Sequence, residues 1–426
     1  MLDIKLIRSN PKEVEQKLRK RDPSISLDPI LNLDEKRRSI LVEMESKQNV
    51  LNTTSKEIGK LKKEGKGAEA KMRDMRQLSD EISTLRSDLR QVEDDLKRFM
   101  SFLPNIPDDS VPVSTDKHDF KILREYKSKP VFDFALKNHL ELSEKYGLFD
   151  LVRAAKIAES QFPMYCGVGA QLELALHNFM LDFQIYERKN KLFLPPLLVN
   201  PTSMFTSGNL PKFEDQLYKL RDDDLYLIPT SEVPLTSVHR DEILREEDLP
   251  LKYIGYTPNF RREAGTYGAE ERGLIRMHQF NKIEMYRYTT PEQSDAEFEK
   301  LIADAEEIIK RLDLHHRVTL LVTSDIAQQS SKTCDIEVWL PAQNSYYEVS
   351  SVSNCRDYQA IRGNIRYKTK DGKNRYVHTL NGSGLATSRL MIGVLETYQQ
   401  ADGSIVVPEV LRKYMGGMEI IRGHDA

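Results

Sequence analysis

The sequence predicts an α+β fold: a long N-terminal antiparallel coiled-coil hairpin, then an antiparallel β-sheet flanked by helices. Three observations lead there. Apolar residues recur at heptad spacing in two successive stretches near the N-terminus. A glycine-rich segment separates those stretches. Beyond a proline-marked linker, short strand-like runs alternate with helical ones, and hairpins are more prominent than βαβ repeats.

Asn10-Pro11 opens a short helix, with Ser9 or Asn10 as its cap and Pro11 in its first turn. The chain breaks at Asp22-Pro23 and again at Asp28-Pro29. From Ile30 one seam reads Ile30, Arg37, Met44, Leu51, Ile58, and the other Leu33, Ile40, Lys47, Thr54, Leu61. A second stretch is apolar throughout: Met75, Leu78, Ile82, Leu85, Leu89, Val92, Leu96, Phe99. Between them, Gly59 to Gly67 carries three glycines and permits a turn. Two helices joined this way bury their seams on each other, as an arm over about residues 30–100 reaching roughly 45–50 Å. Its tip holds Lys56, Lys60, Lys62, Lys63 and Lys66 against two glutamates. That cluster reads either as a solvated helix end or as a patch for a phosphate backbone, and arm length does not decide between them.

Pro104, Pro107 and Pro112 with Asp108-Asp109-Ser110 mark a linker. The expected domains are 1–103, a linker at 104–117, and 118–426. Helices are expected over Val131–Tyr146, Ala170–Lys189 and Pro291–Leu312. Strands are expected at Leu192–Val199, Tyr253–Phe260, Met277–Tyr286, Val318–Thr323, Asp335–Leu340 and Ser345–Ser350.

Composition narrows the function. The chain has 426 residues, 39% hydrophobic and 30% charged, with net charge −3, so any nucleic acid must be met by local patches. Cys166, Cys334 and Cys355 lack zinc-ligand spacing, so no structural zinc is expected. No signal peptide or apolar run of about 18 residues is found, which points to a cytoplasmic protein that does not engage a membrane. No Walker A loop and no GxGxxG after a strand occur, so nucleotide chemistry here is neither P-loop nor Rossmann.

The densest chemistry lies between Tyr253 and Tyr286. A strand ends in Phe260-Arg261-Arg262-Glu263, a polar loop follows, and a second strand runs from Arg276-Met277-His278-Gln279-Phe280 to Glu284. Alternation assigns Arg261 and Glu263 to one face and Arg276, His278 and Phe280 to the other. Thr230-Ser231-Glu232 reads by itself as a helix cap with a first-turn carboxylate as readily as a binding segment. Gly382 and Gly384 read alone as an ordinary turn.

Taken together, these stretches resemble the seryl-tRNA synthetases of class II. Phe260 to Gly265, Arg272 to Phe280 and Lys282-Ile283-Glu284-Met285 are similar to motif 2. Asn381-Gly382-Ser383-Gly384-Leu385-Ala386-Thr387-Ser388-Arg389 is similar to motif 3, and Phe193-Leu194-Pro195-Pro196 to motif 1. Pro229-Thr230-Ser231-Glu232 and Tyr347-Glu348-Val349-Ser350-Ser351 resemble the serine- and ATP-binding signatures, and the helical hairpin is also a family feature. The resemblance spans essentially the whole chain.

It implies a class II catalytic domain that forms seryl-adenylate from L-serine and ATP, then transfers serine to tRNA(Ser) and, where it exists, tRNA(Sec). Arg261 would bridge the serine carboxylate and the α-phosphate. Arg261, Arg389 and Glu348 would be the catalytic set. ATP would be held by Arg261, Arg262, Glu263, Arg276, Phe280, Glu348, Val349, Ser350, Ser351 and Arg389. Glu263 would order the adenine amino group, Phe280 would stack on the base, and Arg276 and Arg389 would hold the γ-phosphate. Glu348 and Ser351 would ligate Mg2+ with the ATP. Serine would be read by Thr230, Ser231, Glu232, Arg261, Glu284, Asn381 and Ser383, with Glu284 on its hydroxyl. Motif 1 implies a homodimer, with one tRNA bound across both subunits and its long variable arm gripped by the hairpin of the opposite one. Rival readings are a relative that loads a carrier protein, a non-enzymatic coiled-coil RNA binder, and a threonyl or prolyl enzyme. The complete arm weighs against the first, and the intact arginines and glutamates against the second. The hairpin weighs against the third.

Overall fold

The computed structural model describes residues 1–65, 67–263 and 273–422; residues 66, 264–272 and 423–426 fall outside them. The chain divides into two compact units, Leu2–Leu103 and Pro104–Ala426, the latter including Met1.

In the first unit two short helices, Ile4–Ser9 and Pro11–Arg19, precede the hairpin. Asp3 caps the first by accepting from Lys5 N. Asn10 is the N-cap residue of the second, but its side chain makes no capping bond. The long helices are Asp28–Lys63 and Glu69–Phe102. Interhelical ion pairs Arg37–Glu93, Lys47–Glu81 and Lys71–Glu57 give their direction: numbers rise on one helix as they fall on the other, so they run antiparallel. All ten heptad positions of the first helix are buried or half-buried. Lys47 tolerates its seam position because its ammonium reaches Glu81 at 2.6 Å. Two expectations need correction. Gly59 does not end the helix, which continues to Lys63. Phe99 is 41% exposed, and Met100 takes the inward position at the end of the seam.

Among the described residues the main sheet of the second unit has eight strands: β1 (Lys121–Tyr126), β2 (Lys191–Phe193), β3 (Leu251–Phe260), β4 (Gln279–Thr289), β5 (His316–Leu320), β6 (Lys332–Leu340), β7 (Ser345–Arg356) and β8 (His378–Ala386). Their spatial order is β1-β5-β6-β7-β8-β4-β3-β2. Every neighbouring pair is antiparallel except β2 and β3, which are parallel. Alternation along β4 sets the architecture. Ile283 and Met285 join a core with Leu301, Ile302 and Ile309 of helix Ser294–Arg311 and Leu390 and Met391 of helix Thr387–Tyr398. Lys282, Glu284 and Tyr286 therefore face the other side.

The expected helix over Val131–Tyr146 is shorter, because Asn138 and Glu141 form a capping box that starts it at His139. The helix expected from Ala170 runs Gly167–Asp182 and closes with a π-helical turn at Phe183–Glu187. The Asn381–Gly384 stretch is no turn: it lies inside β8, between β7 and β4. A Cβ on Gly382 would lie 3.0 Å from Val352 Cγ2, a tight contact that glycine relieves. The linker stretch is fastened to the body. Asn105 Nδ2 donates to the Cys355 and Gln329 carbonyls, and Val111 is buried.

Candidate active site

The side chains gather on the face of β4 opposite its helix-packed core. Across β8, Ser383 pairs with Glu284 and Asn381 with Tyr286; across β3, Gly255 pairs with Glu284. A Cβ at Gly255 would meet the Ser231 Cβ at 2.9 Å, so glycine lets the segment Thr230–Glu232 lie directly on the sheet. Ser231 Oγ donates to the Gly255 carbonyl at 3.3 Å, and Thr230 Oγ1 accepts from Glu232 N at 3.1 Å. The helix Glu232–Ser237 then begins with Ser231 as N-cap, without a capping bond from its side chain.

This packing brings four buried polar residues together. The Lys282 ammonium forms an ion pair with Glu284 Oε2 and donates to Thr230 Oγ1 at 2.8 Å. Thr230 Oγ1 in turn donates to Glu284 Oε2 at 3.2 Å. Glu232 Oε1 accepts from Gln359 at 2.7 Å, Asn381 at 3.1 Å and Gln329 at 3.4 Å. Burial, with the Glu284 charge second, raises the Glu232 carboxyl to about 7. The expected serine set Thr230, Ser231, Glu232, Glu284, Asn381 and Ser383 thus shares one face. Lys282 and Gln359 were given no role at the sequence level. Lys282 has a sequence signal, standing two residues before Glu284 on a strand; Gln359 has none.

The strand-alternation expectation for Arg261, Glu263, Arg276 and Phe280 is corrected. β3 ends at Phe260 and Glu263 has φ +46°, so two-residue alternation stops before Arg261. Glu263 meets Arg276 at 3.1 Å, and the Arg261 guanidinium rests 5.1 Å from the Phe280 ring centroid. Arg261 Nε donates to the Pro229 carbonyl at 3.2 Å, beside Thr230. No carboxylate among the described residues pairs with the Arg261 guanidinium. Arg262 N donates to the Gln216 carbonyl.

Arg389, in the first turn of helix Thr387–Tyr398, donates to the Glu348 carbonyl at 2.8 Å, to Glu348 Oε2 at 3.2 Å and to the Ile275 carbonyl at 3.1 Å. Val349 turns into the core, and Ser350 Oγ donates to the Ser383 carbonyl. A cavity of about 510 Å³ is lined by Glu348, Ser351, Asp335, Asp325 and Lys212 among others. Asp335 pairs with Ser351 across β6 and β7, and its Oδ1 is buried without a hydrogen-bond partner among the described residues. Burial first, then the Glu348 charge, raises its carboxyl well above the usual range. Asp335 also went unread in the sequence. The Cys355 thiol is driven up by burial, which leaves it unfit as a nucleophile at neutral pH.

Beneath the site, Glu173 accepts from Thr387 Oγ1 at 2.6 Å and Asn281 Nδ2 at 3.2 Å. Burial raises it to about 7 despite those bonds. Between the ordinary carboxylate range and about 7 the folded chain holds a proton that the unfolded chain releases, so stability is lost as pH rises through that window. Glu232 acts with the same sign. Glu173→Gln should flatten the fall in melting temperature between about pH 5 and 7.5, removing up to about 3 kcal/mol of pH dependence. Thermal melts with an unchanged slope would exclude Glu173 as its source.

Comparison with known proteins covers the whole chain. A seryl-tRNA synthetase N-terminal domain model matches residues 1–107, and a class II tRNA synthetase core model (G, H, P, S and T) matches 212–398. A serine–tRNA ligase of Caldicellulosiruptor saccharolyticus is 51% identical over 98% of this chain and 99% of its own length. One from Thermodesulfovibrio yellowstonii is 48% identical over 99% and 100%. The crystal structure of the Pyrococcus horikoshii seryl-tRNA synthetase complexed with ATP covers 100% of both chains at a TM-score of 0.93 and 37% identity. With these full-length identities and both domain models matched, the chain belongs to the seryl-tRNA synthetase family and carries a class II synthetase core.

Proposed function

We propose that this chain is an ATP-dependent serine–tRNA ligase whose serine subsite is the buried cluster on β4, with Arg261 at its edge. One observation carries the reading: Glu232 and Glu284 bury two carboxylates beside Pro229, whose carbonyl anchors Arg261, the arginine assigned to the serine carboxylate. An amino acid brings an ammonium and a carboxylate, and that juxtaposition suits both.

In the proposed reaction Glu232 receives the serine ammonium, with Thr230 in its surroundings, and Glu284 accepts a hydrogen bond from the hydroxyl, with Ser383 and Asn381 beside it. The serine carboxylate needs no general base, because it is already ionised. It attacks the α-phosphorus of ATP, and the bond to pyrophosphate breaks. The Arg261 fork holds oxygens of both anions and lowers the repulsion between them as the new bond forms. Glu263 orders the adenine amino group, Arg262, Val349 and Ser350 line the nucleotide, and Arg276 and Arg389 hold its γ-phosphate. Phe280 stacks on the base. The ion pair between Glu263 and Arg276 and the Arg389–Glu348 contact support these assignments by fixing the side chains before ligand arrives.

Glu348 and Ser351 would be the oxygen donors for Mg2+ with ATP. The buried, unpartnered Asp335 Oδ1 facing the same cavity fits a hard cation nearby. When bound, that ion neutralises phosphate charge. The second step transfers serine to the 3′ end of tRNA(Ser), and to tRNA(Sec) where one exists. The domain 1–103 binds the tRNA through the hairpin, and 118–426 performs the chemistry, with 104–117 between them. Leu194 is 73% exposed just beyond the edge strand β2, which supports a homodimer through the motif 1-like segment at Phe193–Pro196, with tRNA spanning the two subunits. The free thiols suit a reducing cytoplasm.

Pyrophosphate exchange tests the reading. Exchange should depend on serine and proceed without tRNA, and charging should require tRNA(Ser). Exchange driven by threonine or proline, or serine exchange without tRNA charging, would overturn it.

A further inference from the structure

We propose that Lys282 is a specificity-determining positioning residue of the serine subsite, whose ammonium fixes which oxygen of Glu284 is offered to the substrate hydroxyl. The inference rests on the reading of Glu284 given above and adds a residue to it.

Lys282 and Glu284 stand two apart on β4, so they share a face, and their side chains are only 8% and 3% exposed. Register with Thr257 on β3 and Ala386 on β8 flanks the lysine on both sides. Burying such a pair is a poor way to stabilise a fold. Taking both ions out of water costs about as much as their attraction returns, and apolar residues of similar volume often do as well. A demand for orientation explains the pair better.

The hydrogen bonds show what is oriented. A threonine hydroxyl has two lone pairs and one proton. Thr230 Oγ1 accepts from Lys282 Nζ and from Glu232 N, which fills both lone pairs. Its proton is then left for Glu284 Oε2, at 3.2 Å. Lys282 pairs with the same Oε2. Two donors thus hold one oxygen, while no hydrogen bond among the described residues reaches Oε1. Oε1 is the acceptor that a serine hydroxyl meets. Alanine leaves it unpaired, and such an unmet buried acceptor is what allows strong rejection of a substrate lacking the hydroxyl. Without the ammonium only the 3.2 Å bond from Thr230 still holds Oε2, and the carboxylate is freer to rotate away from the hydroxyl.

The test uses pyrophosphate exchange with full-length Lys282→Met, Lys282→Arg and Glu284→Ala, measuring KM and kcat for serine, alanine and ATP, alongside thermal melts. Lys282→Met should raise the serine KM by about tenfold or more and cut the serine/alanine preference by a similar factor, as loss of a hydrogen bond to a charged group would. The ATP KM should stay within about twofold, because Lys282 touches no residue assigned to the nucleotide. Lys282→Arg keeps the charge and should recover part of the preference. A fall in kcat and melting temperature with the serine/alanine ratio intact would make Lys282 merely structural and overturn the inference. If Lys282→Met does not fold, Lys282→Gln, which stays polar and removes the charge, decides: a raised serine KM at constant ATP KM supports the inference, and two unchanged constants overturn it. Glu284→Ala separates the two levels. Lost selectivity there with none lost at Lys282 retains the reading of Glu284 and removes Lys282; intact selectivity at Glu284→Ala removes both.

Discussion

Arg261→Ala should depress serine-dependent pyrophosphate exchange by about a hundredfold or more, and Arg261→Lys should restore only a small part of it. The reason is the charge of the reactants. Adenylate formation drives a carboxylate onto a phosphoryl group, two anions approaching to bonding distance. A donor placed between them is worth most as the bond forms. The Arg261 side chain is held at the edge of the proposed serine subsite. Its Nε is anchored on the Pro229 carbonyl, and the guanidinium lies over Phe280. These interactions occupy one nitrogen and one face, leaving the terminal nitrogens to reach two different oxygens at once. A lysine offers one compact charge and no fork, so it serves one anion at a time. The loss should fall on kcat and on kcat/KM alike, with modest change in the serine KM, because the interaction strengthens in the transition state. Exchange by the alanine variant within about threefold of the parent would take Arg261 out of its role.

How far the sequence revealed this site depends on what kind of contact each residue makes. Heptad spacing exposed the hairpin because a two-helix seam is a one-dimensional pattern, and all ten positions from Ile30 to Leu61 turn inward to some degree. Its ends were less legible: nothing local at Gly59 says that the helix continues, since a Cβ there would meet open space and glycine is not required. β8 was hidden for the opposite reason. Its Gly382 eases a close approach to Val352 on β7, a contact between residues far apart in the chain, so a central strand looked like a turn. The motif residues could be named from the sequence, but not their pairing. Alternation put Glu263 and Arg276 on opposite faces, whereas a positive φ at Glu263 beyond the strand end brings them together. Asp335 is the clearest limit. It stands in an ordinary strand pattern, and only the cross-strand register with Ser351 gives it a place near Glu348.

Removing the hairpin should separate the two half-reactions. The catalytic residues assigned above all lie in Pro104–Ala426, and none of the polar contacts described among them involves a residue of Leu2–Leu103. Deleting about residues 33–99 and closing the gap with a short turn should therefore leave serine-dependent exchange largely intact, while charging of tRNA(Ser) collapses. The four described tip lysines permit two explanations that this experiment and a second one tell apart. Lys60, Lys62 and Lys63 lie in the last turn of their helix, where cations complement the helix dipole by about 0.3–1 kcal/mol with no partner at all. On that account alanine at Lys56, Lys60, Lys62, Lys63 and Lys66 lowers the melting temperature slightly and leaves tRNA affinity alone. If instead the lysines lie along a phosphate backbone, every lysine removed leaves fewer counterions to be released on binding. The slope of log affinity against log salt then flattens by roughly 0.7–0.9 for each phosphate no longer neutralised. Recognition of this kind reads the shape of an RNA helix more than its sequence, so the loss should be similar for tRNA(Ser) isoacceptors with different anticodons. We expect the second outcome, with weaker binding at every salt concentration and the largest loss at low salt. Charging by the armless protein at close to the parent rate would show that the hairpin is not the tRNA-binding element and that its lysines only finish a helix.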